Sequence, residues 1–200
     1  MNVDLQKITD NPIDYTVTIP LKGEYKLIWR PLEHNDIKKL TKFLSRLSDE
    51  TRNMYILDSY DEQMAKELCD AIAKYDKLRF VVEESENRDI IGLFDFSFDI
   101  PSSDRARFSK YKFSIDLEKD CRVGFCVSDE FQGMGIGQAS FSCITSIAEK
   151  LGKQRLILLG GVFKENTKST GFYTKLGFKK IGTFLSPDER MSYDMIYTIG

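Results

Sequence analysis

Residues 131–138 read FQGMGIGQ, with glycines at 133, 135 and 137 separated by a methionine and an isoleucine. Three alternate glycines bare three backbone N–H groups almost free of side-chain cover, and glycine admits positive φ and close approach of another group. Upstream, RVGFCV (122–127) reads as a strand. Downstream, QASFSCITSIAEKL (138–151) places Ile144, Ile147, Ala148 and Leu151 on one helical face, with Gly152 at the C′ position. Strand, glycine loop, helix is the order that turns backbone amides and the positive end of a helix toward an anion.

Several readings compete for such a loop. A mononucleotide P-loop ends in Gly-Lys-Ser/Thr, because the lysine and the hydroxyl handle the γ-phosphate and Mg²⁺. Here the loop ends Gly137-Gln138-Ala139. A dinucleotide fingerprint wants GxGxxG and an acidic residue about 20 positions on. The spacing here is GxGxG, and the next strand ends LLGGVF without an acid. A connection that binds nothing would carry the chain-entropy cost of three glycines with no compensating contact.

Two motifs bring a family into view. Gln132-Gly133-Met134-Gly135-Ile136-Gly137 fits the pattern Gln/Arg-x-x-Gly-x-Gly/Ala. About thirty residues on, Asn166, Ser169, Tyr173, Lys175, Gly177 and Phe178 fit Asn-x-x-Ala-x-x-x-Tyr-x-Lys-x-Gly-Phe, with serine for alanine at 169. In both, the chain resembles the GNAT family of acetyl-CoA-dependent N-acyltransferases, in the strand–helix–strand–helix order that family shows. The N-terminal stretch RPLEHNDIKKLTKFLSRLSDETR resembles the family's first helix region more loosely. The resemblance spans roughly residues 25–185.

It implies an α/β (α+β) GNAT fold, a central mixed, mostly antiparallel sheet flanked by helices, with the family's fourth and fifth strands splayed. One N-acetyltransferase domain would occupy 1–200, with an N-terminal strand or extension at 1–23 and a core of about 24–199. Acetyl-CoA would be the co-substrate and a primary amine, of a protein or a small molecule, the acceptor. Backbone groups near Val127 would hold the pantetheine. The amides of Gln132, Gly133, Met134, Gly135, Ile136, Gly137 and Gln138 would hold the pyrophosphate. Asn166 would cap the helix that follows it and touch the cofactor. Tyr173 would protonate the leaving thiolate, a phenol of pKa ~10 being protonated at neutral pH; a core aromatic beside Phe172 is the competing reading.

No base is assigned. Many relatives carry glutamate on the fourth strand, where this chain has Arg122. Asp129 and Glu130 read as turn residues, while Glu84, Asp95 and Asp99 stay candidates. The missing carboxylate also motivates an alternative, a non-catalytic acyl-CoA-binding or regulatory module.

The rest of the chain narrows the class. Lys+Arg is 29 against Asp+Glu 31, a net charge of −2, so no broad basic field invites nucleic acid. Cys69, Cys121, Cys126 and Cys143 form no CxxC pair and no metal-ligand spacing, which suits reduced thiols and no metal. The one histidine, His34, reads as a surface or capping residue at a helix entry. The start MNVDLQKITDNPIDY lacks the basic and apolar regions of a signal peptide, and no apolar run approaches the ~20 residues of a membrane span. A cytoplasmic protein with no membrane partner is expected, and a homodimer is compatible with the family.

Hydrophobic patterning predicts the other elements. Residues 15–30 read as a hairpin turning at Lys22-Gly23. NDIKKLTKFLSRL is a helix with Asn35 as N-cap, and DEQMAKELCDAIAKY a second with Met64, Leu68, Ala71 and Ile72 on one face. Strands follow at 78–84, 89–100, 155–163, 178–185 and 190–199, and a helix at 167–176. Residues 101–120 read as an irregular loop or hairpin arm, basic and aromatic enough for a nucleic-acid patch to be considered.

Overall fold

A computed structural model of the chain describes residues 5–21, 25–71 and 77–200. Among them are nine strands: β1 Val17–Pro20, β2 Lys26–Pro31, β3 Lys77–Glu84, β4 Ile90–Ser97, β5 Asp120–Val127, β6 Arg155–Leu158, β7 Val162–Phe163, β8 Lys179–Leu185 and β9 Met191–Thr198. The α-helices are α1 Leu5–Asp10, α2 Ile37–Arg46, α3 Asp49–Met54, α4 Glu62–Cys69, α5 Ser102–Lys110, α6 Ile136–Lys150 and α7 Thr167–Leu176. Hydrogen bonding orders the strands β1-β2-β3-β4-β5-β6-β9-β7, with β8 on β9. The β1–β2, β2–β3, β6–β9, β7–β9 and β8–β9 pairs are antiparallel and β5–β6 is parallel, the mixed, mostly antiparallel sheet expected. The chain divides into two compact units, one running to Asp95 and resuming at Phe125–Ile144, the other comprising Phe96–Gly124 and Thr145–Gly200.

In the first unit β1 and β2 pair from Val17↔Trp29 to Pro20↔Lys26, as the hairpin reading requires; its turn at Lys22-Gly23 lies outside the described residues. Side chains alternate faces along a strand, and the fully buried Trp29 stacks on Phe80 at 4.9 Å and meets Phe94 edge-on at 4.8 Å. Leu40, Phe43 and Leu44 of α2 and Met64, Ala65 and Leu68 of α4 pack with Val81 and Leu93. Their i, i+3, i+4 spacing makes one apolar stripe on each helix. The predicted end of the second helix, from Ile72, lies outside the described residues.

The cap at Asn35 is a correction. Residues His34–Asp36 form a 3-10 turn before α2, closed by a capping box between Glu33 and Asp36. Asp36 Oδ2 accepts from the Glu33 N–H at 2.9 Å, and the same carboxylate pairs with the buried Arg30 guanidinium. Asp36, rather than Asn35, is the N-cap residue of α2, though its side chain makes no cap bond to that helix. His34 is exposed beside Asp70, its Nδ1 2.9 Å from Oδ1. Helix α3, capped by Ser48 through the Thr51 N–H, has no buried residue and no apolar spacing that marks it in the sequence as a separate element.

In the second unit Ile100, Phe108, Ile157 and Ile196 make a compact apolar cluster. Residues 102–110, expected to be irregular, are helical. Phe108 is the helix's one buried residue, so no apolar stripe announces it. Tertiary ion pairs hold it instead: Arg107 grips the buried Asp194 of β9 at 2.9 and 3.1 Å, and Asp104 meets Arg122 at 3.2 Å. Tyr111, just beyond the helix, lays its ring where a Cβ at Gly182 would stand and donates to Asp194 Oδ2 at 3.0 Å.

The single strand predicted over 155–163 is two. Gly160 and Gly161 take φ of 70° and 72° and separate β6 from β7. A Cβ at Gly161 would lie 2.7 Å from the Tyr193 carbonyl, so only glycine fits there. The β5–β6 register runs from Asp120↔Arg155 to Val123↔Leu158, and β5 continues past the last pair to Val127.

Candidate active site

The glycine motif follows a 3-10 turn at Asp129–Phe131 that ends β5. Gly133 and Gly135 adopt φ of 80° and 86°, in the left-handed region that glycine alone enters freely. An added Cβ at either would meet nothing within 4 Å, so conformation and the open space beside them account for these glycines, not protein packing. The first helical bond runs from the Ala139 N–H to the Gly135 carbonyl at 2.9 Å. The amides of Ile136, Gly137 and Gln138 are those a helix start leaves over. They head a 15-residue helix whose dipole places partial positive charge there. Such a cradle fits a diphosphate.

Its entry is tied down by side chains. Gln132 Nε2 donates to the Val127 carbonyl at 3.0 Å and to Thr51 Oγ1 at 3.1 Å. Asp129 accepts from the Ser48 N–H at 2.9 Å, Ser48 Oγ at 2.6 Å and Thr51 Oγ1 at 2.6 Å. The sequence marks Asp129 only as a turn residue and gives no sign of Ser48 or Thr51; these bonds span about eighty positions, which no local spacing signals. Burial alone would raise the Asp129 carboxyl, but hydrogen bonds from Ser48 and Thr51 hold it below the ordinary range. The stabilisation is then complete above the unfolded value of ~3.9 and is lost as pH falls through the lower folded value. Wild type should therefore lose thermal stability more steeply on acidification below about pH 4 than Asp129→Asn, as scanning calorimetry would record.

A cavity of about 130 Å³ flanks the same turn, bounded by Phe43 and Arg46 of α2 and by Ser128–Phe131. Glu84, Asp89, Asp129 and Glu130 line it against Arg46 as its one cationic side chain, so it does not suit a phosphate. The amide side of the loop does.

Asn166 and Tyr173 lie on α7, in the other unit. Asn166 Oδ1 accepts from the Ser169 N–H at 2.9 Å, the N-cap the motif implied. Asn166→Ala should cost about 1 kcal/mol, seen as a fall in Tm that Asn166→Asp largely spares. The helix ends at Gly177, φ 99°, where the Phe178 N–H reaches the Tyr173 carbonyl at 3.0 Å. Tyr173 is 8% exposed, and its ring meets Phe172 and Phe178 edge-on at 5.2 and 5.3 Å. At Gly171 a Cβ would meet nothing within 4 Å, so no close neighbour in the protein explains that glycine.

The carboxylate candidates separate clearly. Asp95 is buried and committed, pairing with the Arg79 guanidinium and accepting from the Tyr55 hydroxyl. Glu84 accepts from the Tyr25 hydroxyl and from Asn87 Nδ2. Asp99 is exposed, and its carbonyl accepts from Arg122 Nη2 at 2.7 Å. Arg122 itself is bound to Asp104, Ser97 Oγ and that carbonyl. Burial pulls its pKa down, with Asp104 and Asp99 opposing. The strand position where many relatives carry glutamate thus holds a cation locked into its own network.

A strand, two left-handed glycines and a long helix beside a mixed, mostly antiparallel sheet are the arrangement of the GNAT fold. The chain belongs to that family: the model of the acetyltransferase (GNAT) domain matches residues 26–179. Among solved structures it is similar to the GNAT domain of PAT from S. lividans, at 17% identity over 94% of this chain and 98% of that one, TM-score 0.72. The ribosomal-protein-S5-alanine acetyltransferase from Vibrio fischeri matches at 16% identity over 92% and 97%, TM-score 0.69. A spermidine N-acetyltransferase chimera from Vibrio cholerae and hSSAT matches at 19% identity over 86% and 95%, TM-score 0.64. No curated protein matches by sequence. Among the described residues, no helix is long and apolar enough to cross a membrane.

Proposed function

We propose that the protein is an N-acetyltransferase that moves an acetyl group from acetyl-CoA to a primary amine, of a protein or a small molecule, by direct attack in a ternary complex. The observation that carries this reading is the pair of left-handed glycines, 133 and 135, open to their surroundings and feeding the amides of a long helix. Residues 132–138 hold the diphosphate through neutral N–H donors and the helix end, which is why the loop needs no lysine. Val127 borders the pantetheine, and a ligand sharing its carbonyl uses the lone pair that Gln132 leaves. Asn166 contacts the same co-substrate.

The amine nitrogen bonds to the acyl carbon, the carbon–sulfur bond breaks, the departing sulfur takes the proton of the Tyr173 hydroxyl, and the proton that the nitrogen sheds on becoming an amide returns to that phenolate through solvent. A thiolate of pKa ~8.5 benefits from that donor. The amine must reach the thioester neutral, which for a lysine-like group of pKa ~10.4 means giving a proton to water or solvent. Arg122 and the committed Asp95 argue against a strand carboxylate as the acceptor of that proton. The chain acts in the cytoplasm as one acetyltransferase domain over 1–200, with a core of about 24–199.

The acceptors named for the similar structures, a ribosomal-protein alanine and spermidine, bracket the panel to be tried. Thiol release from acetyl-CoA, followed across N-terminal peptides, lysine peptides, polyamines, aminoglycosides and amino acids, tests the proposal. Turnover with one acceptor class supports it. Binding of acetyl-CoA with no release on any amine would favour the alternative that Arg122 suggests, a non-catalytic acyl-CoA-binding module.

A further inference from the structure

We infer that Thr51 and Asp129 are positioning residues that set the affinity of the glycine loop for a diphosphate; this rests on reading the loop as the acetyl-CoA site. Asp129 stands three residues before Gln132, at the entry of a loop built from N–H donors. A carboxylate there repels a diphosphate unless its charge is met locally. It is met by three donors, the Ser48 N–H, Ser48 Oγ and Thr51 Oγ1, at 2.9, 2.6 and 2.6 Å.

The proton count then gives the cluster a direction. A threonine hydroxyl has one proton, and Thr51 directs it to Asp129. Toward Gln132, therefore, Thr51 Oγ1 can only accept, and it takes one Nε2 proton at 3.1 Å. The other Nε2 proton goes to the Val127 carbonyl at 3.0 Å. Both donors of the Gln132 amide are thus spent on the protein, one on the last residue of β5 and one on α3. The remaining Oε1 is an acceptor and has nothing to offer a phosphate. Gln132 serves the diphosphate through its backbone, and its side chain clamps the loop entry.

Without the Thr51 hydroxyl, Gln132 loses its anchor on α3 and Asp129 loses one of its donors. Gly133 and Gly135 follow directly, and glycines have the widest backbone freedom to lose. Clamping the entry before the ligand arrives lowers the ordering cost of binding, which raises affinity without adding a contact.

The test compares Thr51→Val, which keeps the shape and deletes the hydroxyl, with Thr51→Ser, which keeps the hydroxyl. Coenzyme A and S-acetylpantetheine, which lacks the diphosphate, are titrated calorimetrically into each variant and wild type. One neutral hydrogen bond predicts that Thr51→Val binds coenzyme A about fivefold to tenfold more weakly, with Thr51→Ser within about twofold of wild type. S-acetylpantetheine should bind all three alike, and the KM for acetyl-CoA should rise in Thr51→Val at unchanged kcat. Equal coenzyme A affinity in wild type and Thr51→Val overturns the inference, as does an equal loss for both ligands or a failure of serine to rescue. Wild type that does not bind coenzyme A overturns the acetyl-CoA reading itself, a result visible in the control arm. Should Thr51→Val not fold, Gln132→Met should likewise weaken coenzyme A more than S-acetylpantetheine, since it removes the bonds to Thr51 and Val127 and keeps the loop backbone.

Discussion

Gly135→Asp should weaken coenzyme A binding about a thousandfold while leaving the fold nearly intact. Gly135 sits at φ 86°, where a side chain costs roughly 1–2 kcal/mol. Nothing in the protein lies within 4 Å of an added Cβ, so the substitution meets no wall of its own chain. The carboxylate instead projects into the space assigned to the diphosphate. Like charges about 4 Å apart at a protein surface repel by about 4 kcal/mol. The strain falls on free and bound protein alike, so the repulsion alone carries the binding loss, and it matches the roughly 4 kcal/mol that a thousandfold loss represents. Gly135→Ala carries the conformational cost and a methyl group but no charge, so it should lose far less. Calorimetric titration of coenzyme A and thermal unfolding of both variants decide the matter. Aspartate at 135 binding within tenfold of wild type would sink the placement of the diphosphate at this loop.

Tyr173→Phe should lower kcat by about 10²–10⁴, the usual contribution of a positioned general acid, with little change in coenzyme A affinity. Removing one oxygen keeps the ring's edge contacts with Phe172 and Phe178, so a collapse of the site is not expected. The loss should be smaller for a thioester whose leaving thiol is more acidic, because that thiolate needs the proton less. Unchanged turnover on the best amine of the panel would leave Tyr173 as a core aromatic, the reading its 8% exposure also allows.

The parts of the site legible in the sequence are those whose causes are local. Gly133 and Gly135 are spaced for a left-handed loop, and both are left-handed. Asn166 precedes a helical pattern by one residue, and its side chain caps that helix. Ile144, Ile147, Ala148 and Leu151 repeat at helical spacing, and all four are buried. The misses share the opposite character. Helix α5 has a single buried residue and is held by Asp194, almost ninety positions away. The break at Gly160-Gly161 is imposed by the Tyr193 carbonyl of another strand.

By itself, then, the sequence determined the class of fold, the glycine cradle and the motif on α7. Periodicity, capping and positive φ arise from interactions within a turn or two of chain, so spacing alone records them. Tertiary structure alone decided which polar groups are already committed. Arg122 is locked to Asp104 and Ser97, Asp95 to Arg79, and Gln132 to Thr51 and Val127. A hydrogen bond or ion pair depends on partners brought together by the folded chain and on what burial makes of their charge. Neither quantity has a period in the sequence.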